Sequence, residues 1–300
     1  MKKVLITGSN GLLGQKLITL LAGNPGYSLI ATARGDNRLG EVGKPYEYAS
    51  LDITNPIEVD SIINKYKPDF IIHTAAMTNV DQCEKDHEGC TILNVTATKY
   101  LVDAAERNNS FFIHLSTDFI FDGTKGPLTE EDKPNPISFY GQSKLDAETI
   151  IIKSNLRWAI ARTVLVYGIV KDMSRTNIVL WVKKSLEDKK AINVVDDQWR
   201  TPTLAEDLAM GCFLLMDKEA TGIYNISGPD MLTPLEMAYK TADFFHLDKS
   251  YINKADSSTF TQPAKRPPKT GFVIDKAIKN LGYKPHTFIE GIKEMVNQLK

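Results

Sequence analysis

The segment Tyr140-Gly-Gln-Ser-Lys144 puts a phenol and an amine four residues apart. Leu145, Ile150 and Ile151 beside it predict a helix, on which an i,i+4 pair shares one face. An ammonium placed there would stabilise the phenolate and lower the tyrosine's pKa, making Tyr140 a usable acid or base. Upstream, the apolar run Phe111-Phe-Ile-His-Leu115 leads into Ser116-Thr117-Asp118. Ligands of open α/β sheets bind beyond the carboxyl ends of the strands, so the Thr117 hydroxyl is predicted to lie beside Tyr140 and to hydrogen-bond a reacting carbonyl. The run Ala75-Ala76-Met77-Thr78 follows another predicted strand, and its small side chains leave room for a flat nicotinamide ring. These residue types suit proton transfer to or from a carbonyl or alcohol.

A second constellation opens the chain. Gly8-Ser-Asn-Gly11-Leu-Leu-Gly14 follows an apolar strand directly and leads into a helix striped by Leu13, Leu17, Leu20 and Leu21. Glycines here let the backbone turn tightly and approach a pyrophosphate, whose charge is favoured by the free N–H groups of the helix N-terminus. The strand before and the amphipathic helix after are the context this motif requires. The second strand ends Ala31-Thr-Ala-Arg34. Arginine at that point accommodates the 2′-phosphate of NADP, whereas an acidic residue would bind the ribose hydroxyls of NAD. Arg34, with Arg38 nearby, therefore tilts the choice towards NADP(H), and Asp36 keeps NAD(H) open.

These residues need a scaffold that gathers strand ends. Candidate strands at 3–7, 28–33, 47–51, 70–74, 111–115 and 158–166 are mostly continuous apolar runs, as expected of parallel strands covered on both faces. Helical stretches lie between them; Val95, Tyr100, Leu101 and Ala104 form one such stripe. The pattern predicts an α/β fold, a doubly wound parallel sheet of the Rossmann type, over residues 1–168. Beyond Gly168 the rhythm changes: a helix over 175–190, a strand at 191–195, a helix at 204–216 and a strand at 223–226, with 191–227 returning to the main sheet. Thr233-Pro-Leu-Glu236 and Thr287-x-x-Glu290 are capping-box patterns that start two further helices. The Pro- and Lys-rich loop 257–270 is expected to be exposed or ligand-facing. Residues 169–190 and 228–300 thus form a smaller, interleaved substrate-binding domain.

Composition narrows the function. Thirty-six basic and 37 acidic residues give a net charge of −1, without the basic footprint of a nucleic-acid binder. No run approaches the roughly 18 apolar residues of a membrane span, and Val4-Leu-Ile is too short for a signal-peptide core. A cytoplasmic protein is expected, in keeping with only three cysteines. Cys83, His87 and Cys90 lack a further ligand pair, so no metal site is predicted. A homodimer is the default assembly.

With these motifs in order, the chain resembles the extended short-chain dehydrogenase/reductases over essentially its whole length. Within them it is most similar to the dTDP-4-dehydrorhamnose reductase family. The segments that carry this are Asp52-Ile-Thr-Asn55, Ala75-Ala-Met-Thr-Asn-Val-Asp81, Ser116-Thr-Asp-Phe-Ile-Phe-Asp-Gly123, Asp197-Gln-Trp-Arg-Thr-Pro-Thr203 and Arg266-Pro267. The resemblance implies a nucleotide-sugar substrate reduced at C4. It implies that Gly8, Asn10, Gly11, Leu12, Leu13 and Gly14 hold the pyrophosphate and that Asp52 and Ile53 lie near the adenine. Tyr140 would be the proton donor, Lys144 would bind the nicotinamide ribose and tune Tyr140, and Thr117 would orient the carbonyl. Thr78, Val80 and Asp118 would line the sugar pocket. A diphosphate calls for bidentate cations, which Arg200 and Arg266 could supply. Phe119 and Leu165 stand where the relatives carry an aromatic hydroxyl and a tryptophan. Two alternatives stay open: an epimerase or dehydratase, for which Asp118-Phe119 lacks the usual acidic pair, and an NADP-binding regulatory subunit.

Overall fold

Strands apolar on both faces need cover on both sides, and the computed structural model, which describes residues 1–40, 42–172 and 176–298, provides it. The first half runs β1 (Lys2–Thr7), α1 (Leu12–Leu21), β2 (Tyr27–Ala33), β3 (Glu47–Ser50), α2 (Pro56–Tyr66), β4 (Phe70–His73), α3 (Val80–Lys85), α4 (His87–Thr91), a π-helical turn (Ile92–Thr96), α5 (Ala97–Asn108), β5 (Phe111–Thr117), α6 (Phe139–Ile152) and β6 (Arg157–Thr163). The second half runs β7 (Val166–Tyr167), α7 (Ile178–Glu187), β8 (Ile192–Val195), β9 (Thr203–Leu204), α8 (Ala205–Asp217), β10 (Gly222–Asn225), α9 (Pro234–Phe244), β11 (Ile252–Ala255), α10 (Asp275–Leu281) and α11 (Phe288–Asn297). Seven strands pair in the order β10-β6-β5-β4-β1-β2-β3, each pair parallel. This is the doubly wound α/β sheet that the alternation predicts.

Alternate residues of each strand feed two cores. Val4 and Ile6 pack with Leu17 and Leu21 of α1 and with Leu208 and Cys212 of α8. Leu5 and Ile71 pack on the other face with Val59 and Ile63 of α2 and Leu101 of α5. Leu20, expected in the apolar stripe of α1, is 36% exposed, because Leu17, Ile18 and Leu21 already fill the contact with the sheet.

Two differences from expectation concern the second half. The single strand predicted at 158–166 is two strands, because Leu165 takes a left-handed backbone (φ +37°) that turns β7 away to pair with β9. The stretch 191–227 divides: α8 and β10 reach the main sheet, whereas β8 pairs with β11 in a separate two-stranded sheet. Apolar faces decide this, since Ile192 and Val194 pack against Val182, Leu186, Ala238 and Ile252 rather than against the large sheet. The helix predicted from Arg175 is α7, capped by Asn177; Arg175 itself lies outside the described residues. Both capping boxes form, at Thr233 with Glu236 and at Thr287 with Glu290.

The β6 strand also carries a buried charge. Arg162 donates from Nε and Nη2 to Glu148 of α6 at 3.0 and 2.7 Å, with the two side chains 3% and 1% exposed. Breaking such a pair leaves a buried charge uncompensated. Arg162→Leu should therefore lower unfolding free energy by about 3–5 kcal/mol in denaturant melts, and adding Glu148→Leu should recover most of that loss.

Candidate active site

Neighbouring strands β1, β4 and β5 end on the same side of the sheet, and a cleft of about 760 Å³ opens above them. Its floor at β1 is the glycine loop. Gly8 has φ +69°, and a Cβ on it would lie 2.8 Å from the Ala75 nitrogen. A Cβ on Gly14 would lie 2.4 Å from the Gly8 carbonyl oxygen and 2.6 Å from Ser9 Cα. Only glycine permits this folding of the loop onto the start of α1, which leaves the helix N-terminus facing the cleft. Gly11 is the N-cap and has no side chain to occupy the free N–H groups. The loop thus fits a dinucleotide pyrophosphate. Asn10 fixes its outer side, donating to the Asp36 carbonyl at 2.8 Å and accepting from the Arg38 N–H at 2.9 Å.

Ser138 caps α6, accepting from the Gly141 N–H. A Cβ on Gly141 would meet the Phe119 carbonyl oxygen at 2.1 Å, so this glycine lets α6 press against the Asp118–Ile120 turn after β5. That contact seats Tyr140 beside Thr117, within hydrogen-bonding reach of its hydroxyl, with the Phe119 ring edge-on at 5.8 Å. Tyr140 and Lys144 are 8% and 3% exposed. Burial pushes the Tyr140 phenol well above its usual pKa, the Thr117 hydrogen bond opposing it only in part. The net shift of the Tyr140 phenol is therefore upward, opposite to the direction expected from a Lys144 ammonium alone, because desolvation dominates. Burial also lowers Lys144, to about 8.

Behind this pair lie two histidines that the sequence reading passed over. Lys144 Nζ is 3.0 Å from His114 Nε2, and the His114 ring lies 5.3 Å from that of His73. His73 is pushed down to about 3, first by burial and then by the charge of Lys144. The available signal was positional: both histidines interrupt apolar strands after three hydrophobic residues and are register partners on β4 and β5. Asn94, in the π-helical turn, was also missed. It accepts from the Met77 N–H at 2.8 Å, and donates to the Met77 carbonyl at 3.1 Å and to Ser143 at 3.0 Å, which pins the segment after β4 to α6.

The remaining predicted residues divide. Leu12, Leu13, Ala75, Ala76, Thr78, Val80, Asp118, Arg200 and Arg266 border the same cleft, whereas Arg34, Asp52 and Ile53 do not line it. Arg34 is exposed past the end of β2, with Asp52 near it; Thr54 holds the Asp52 carboxyl below its usual pKa, and Ile53 is buried in the core. Asp118 is buried, and burial raises its pKa against the pull of Arg200, Thr270 and Thr117. Arg200, 5% exposed, donates to the carbonyls of Trp199, Pro267 and Pro268 and to Gln198, with Nε 3.7 Å from Asp118. Expected as a ligand cation, it is here a tie between the β5 turn and loop 257–270. Arg266 is 21% exposed and pairs with Asp81 at 2.7 and 3.2 Å, on the cleft wall. Cys83 and Cys90 are buried beside Tyr140, and His87 stacks on Phe139. Among the described residues no group of three or more His, Cys, Asp or Glu could hold a metal ion, and no helix is long and apolar enough to cross a membrane.

A doubly wound sheet with a glycine cradle at β1 and a Tyr/Lys pair against the threonine that ends β5 defines the short-chain dehydrogenase/reductase class. Over residues 1–300 the chain matches the family model described as RmlD substrate binding domain, and it belongs to that family. It is 30% identical over 307 residues to a dTDP-4-dehydrorhamnose reductase of Aggregatibacter actinomycetemcomitans, covering 98% of each chain. It is 32% identical over 257 residues to methionine adenosyltransferase 2 subunit beta of Xenopus tropicalis, covering 84% of this chain and 74% of that one. The crystal structure of dTDP-4-dehydrorhamnose reductase from Bacillus anthracis in complex with NADP superposes with a TM-score of 0.86 at 27% identity, covering 99% of this chain and all of that one.

Because the Gly14 cradle is closed by backbone atoms, Gly14→Ala should raise the Kd for NADP(H) about tenfold or more while circular dichroism shows the fold retained; calorimetric titration reads the change.

Proposed function

We propose that this chain is an NAD(P)H-dependent reductase of the C4 ketone of a nucleotide-linked 4-keto-6-deoxy sugar, with dTDP-4-dehydrorhamnose as the substrate. The observation that carries the reading is the buried Tyr140 phenol held beside Thr117 in the cleft that the glycine cradle opens into. A bound nicotinamide supplies the hydride for the ketone carbon. Thr117 and Tyr140 hydrogen-bond the ketone oxygen, and Tyr140 passes it a proton. The Lys144 ammonium favours the phenolate that this leaves and meets the nicotinamide ribose. Such acid catalysis contributes about 10²–10⁴-fold.

Gly8, Asn10, Gly11, Leu12, Leu13 and Gly14 would hold the pyrophosphate of the cofactor, Ala75 and Ala76 would leave room for its nicotinamide, and Asp52, Ile53 and Arg34 would serve its adenosine. Arg34 favours NADP(H), and NADP is also what the Bacillus anthracis neighbour holds. Thr78, Val80 and Asp118 face the sugar, and Arg266 meets the diphosphate. In this reading residues 1–168 form the dinucleotide-binding domain, whose Thr78, Val80 and Asp118 also face the substrate, and 169–190 with 228–300 form the substrate-binding domain. Near-balanced charge supports a small-molecule partner over nucleic acid, and three buried cysteines that form no disulfide support a cytoplasmic location. A homodimer is the simplest assembly.

Similarity to methionine adenosyltransferase 2 subunit beta favours a second reading, a regulatory subunit that binds NADP without reducing a sugar. Oxidation of NADPH by the purified protein, supplied with dTDP-4-dehydrorhamnose, separates the two. Stoichiometric oxidation is the expected result; tight cofactor binding with no turnover would favour the subunit.

Tyr140→Phe should lower kcat by about 10²–10⁴-fold and leave the Kd for NADPH within about twofold, read by stopped-flow absorbance and fluorescence titration. Arg34→Ala should raise KM for NADPH roughly tenfold and change that for NADH little.

A further inference from the structure

The Lys144 side chain is buried, and the group that hydrogen-bonds it carries no negative charge, Glu148 acting on it only through space. Its neighbour one turn along α6, Glu148, would be the ordinary counter-ion at i,i+4 spacing. Both oxygens of Glu148 are instead taken by Arg162, at 3.0 and 2.7 Å. What reaches Lys144 Nζ is His114 Nε2, at 3.0 Å, from a ring fully buried in β5. Burial foremost, and then the adjacent charge of Lys144, keep that ring from protonating. A neutral imidazole can accept one hydrogen bond without cancelling the ammonium, as a carboxylate would.

Hydrogen bonding fixes the tautomers of both buried rings. Thr98 gives its hydroxyl proton to the Asn94 carbonyl at 2.7 Å, so at 3.2 Å it accepts from His73 Nε2–H. His73 Nδ1 then accepts from the Thr7 hydroxyl at 2.8 Å. His114 must be the opposite tautomer: Nε2 accepts from Lys144 and Nδ1 carries the proton. His114 Nδ1 is buried with no hydrogen-bond partner. An orphaned donor of this kind is costly, and it persists because Nε2 is committed to the lysine.

We propose that His114 is a positioning residue for Lys144: a neutral acceptor that anchors one of its three N–H bonds and leaves the other two, with the whole charge, for the cleft. Its effect on catalysis rests on the reductase reading above; its effect on Lys144 and on cofactor binding does not.

The test combines titration of NADP⁺, steady-state kinetics and long-range ¹H–¹⁵N NMR of the imidazoles, on the full-length protein. His114→Leu should weaken NADP⁺ binding about tenfold, the scale of one hydrogen bond to a charged group. In a Lys144→Met background it should have no further effect, because both changes remove one interaction. His114→Gln, whose side-chain oxygen reaches the same place, should restore Kd and kcat to within about threefold of wild type, while His114→Leu lowers kcat with KM for the sugar within about twofold. The wild-type spectrum should show His114 protonated on Nδ1 and His73 on Nε2. Additive effects of His114→Leu and Lys144→Met, a glutamine no better than leucine, or His114 protonated on Nε2 would each overturn the proposal. If the wild-type protein turns over no sugar, the reductase reading fails, while the binding cycle and the tautomer still decide the role of His114.

Discussion

A cation taken out of water must be compensated, and the interior behind the cleft is organised around that requirement at Lys144. The helix that carries it also carries Glu148, and strand β6 supplies Arg162 to engage Glu148. Strand β5 supplies His114 from the other side. Each of these contacts fixes α6 against the sheet, so the helix that holds Tyr140 has little freedom to shift along or about its axis. The position of the phenol is therefore a consequence of how an amine was made tolerable in the core.

The second determinant is the close approach of α6 to the turn after β5. With Gly141 under the Phe119 carbonyl, the helix start and the strand end share one surface. Asn94 ties the segment after β4 to the same helix through Met77 and Ser143. The segments that follow β4 and β5 are thus both drawn against one helix. Loop 257–270 closes the opposite wall through Arg200 and Arg266, whose partners are backbone carbonyls, Asp118 and Asp81.

Much of this was legible in the sequence where one local rule governed. Strands β1, β2, β4 and β5 carry apolar runs because parallel strands are covered twice, and both late capping boxes announced α9 and α11. The glycine spacing and Tyr140/Lys144 pair named the two ends of the cleft. What failed depended on long-range geometry. Nothing local distinguishes a break at Leu165 from a continuous strand, and a four-residue strand such as β8 does not announce its partner. His73 and His114 gain meaning only once β4 and β5 are in register. The direction of the Tyr140 shift required knowing how deeply the phenol is buried, which spacing cannot reveal. Arg200 looked like a free cation until its donors were found engaged with the chain's own carbonyls.

The chain leaves the main sheet at β7, forms α7 and β8, returns through α8 and β10, leaves again for α9 and β11, returns with Phe272 and α10, and ends in α11. The smaller lobe is therefore stitched to the larger by repeated passages of one backbone. No contiguous cut removes it, so it cannot be exchanged between proteins as a module. Divergence in what this cleft accepts has to proceed by replacing side chains in place, each substitution judged against packing that the two lobes hold in common.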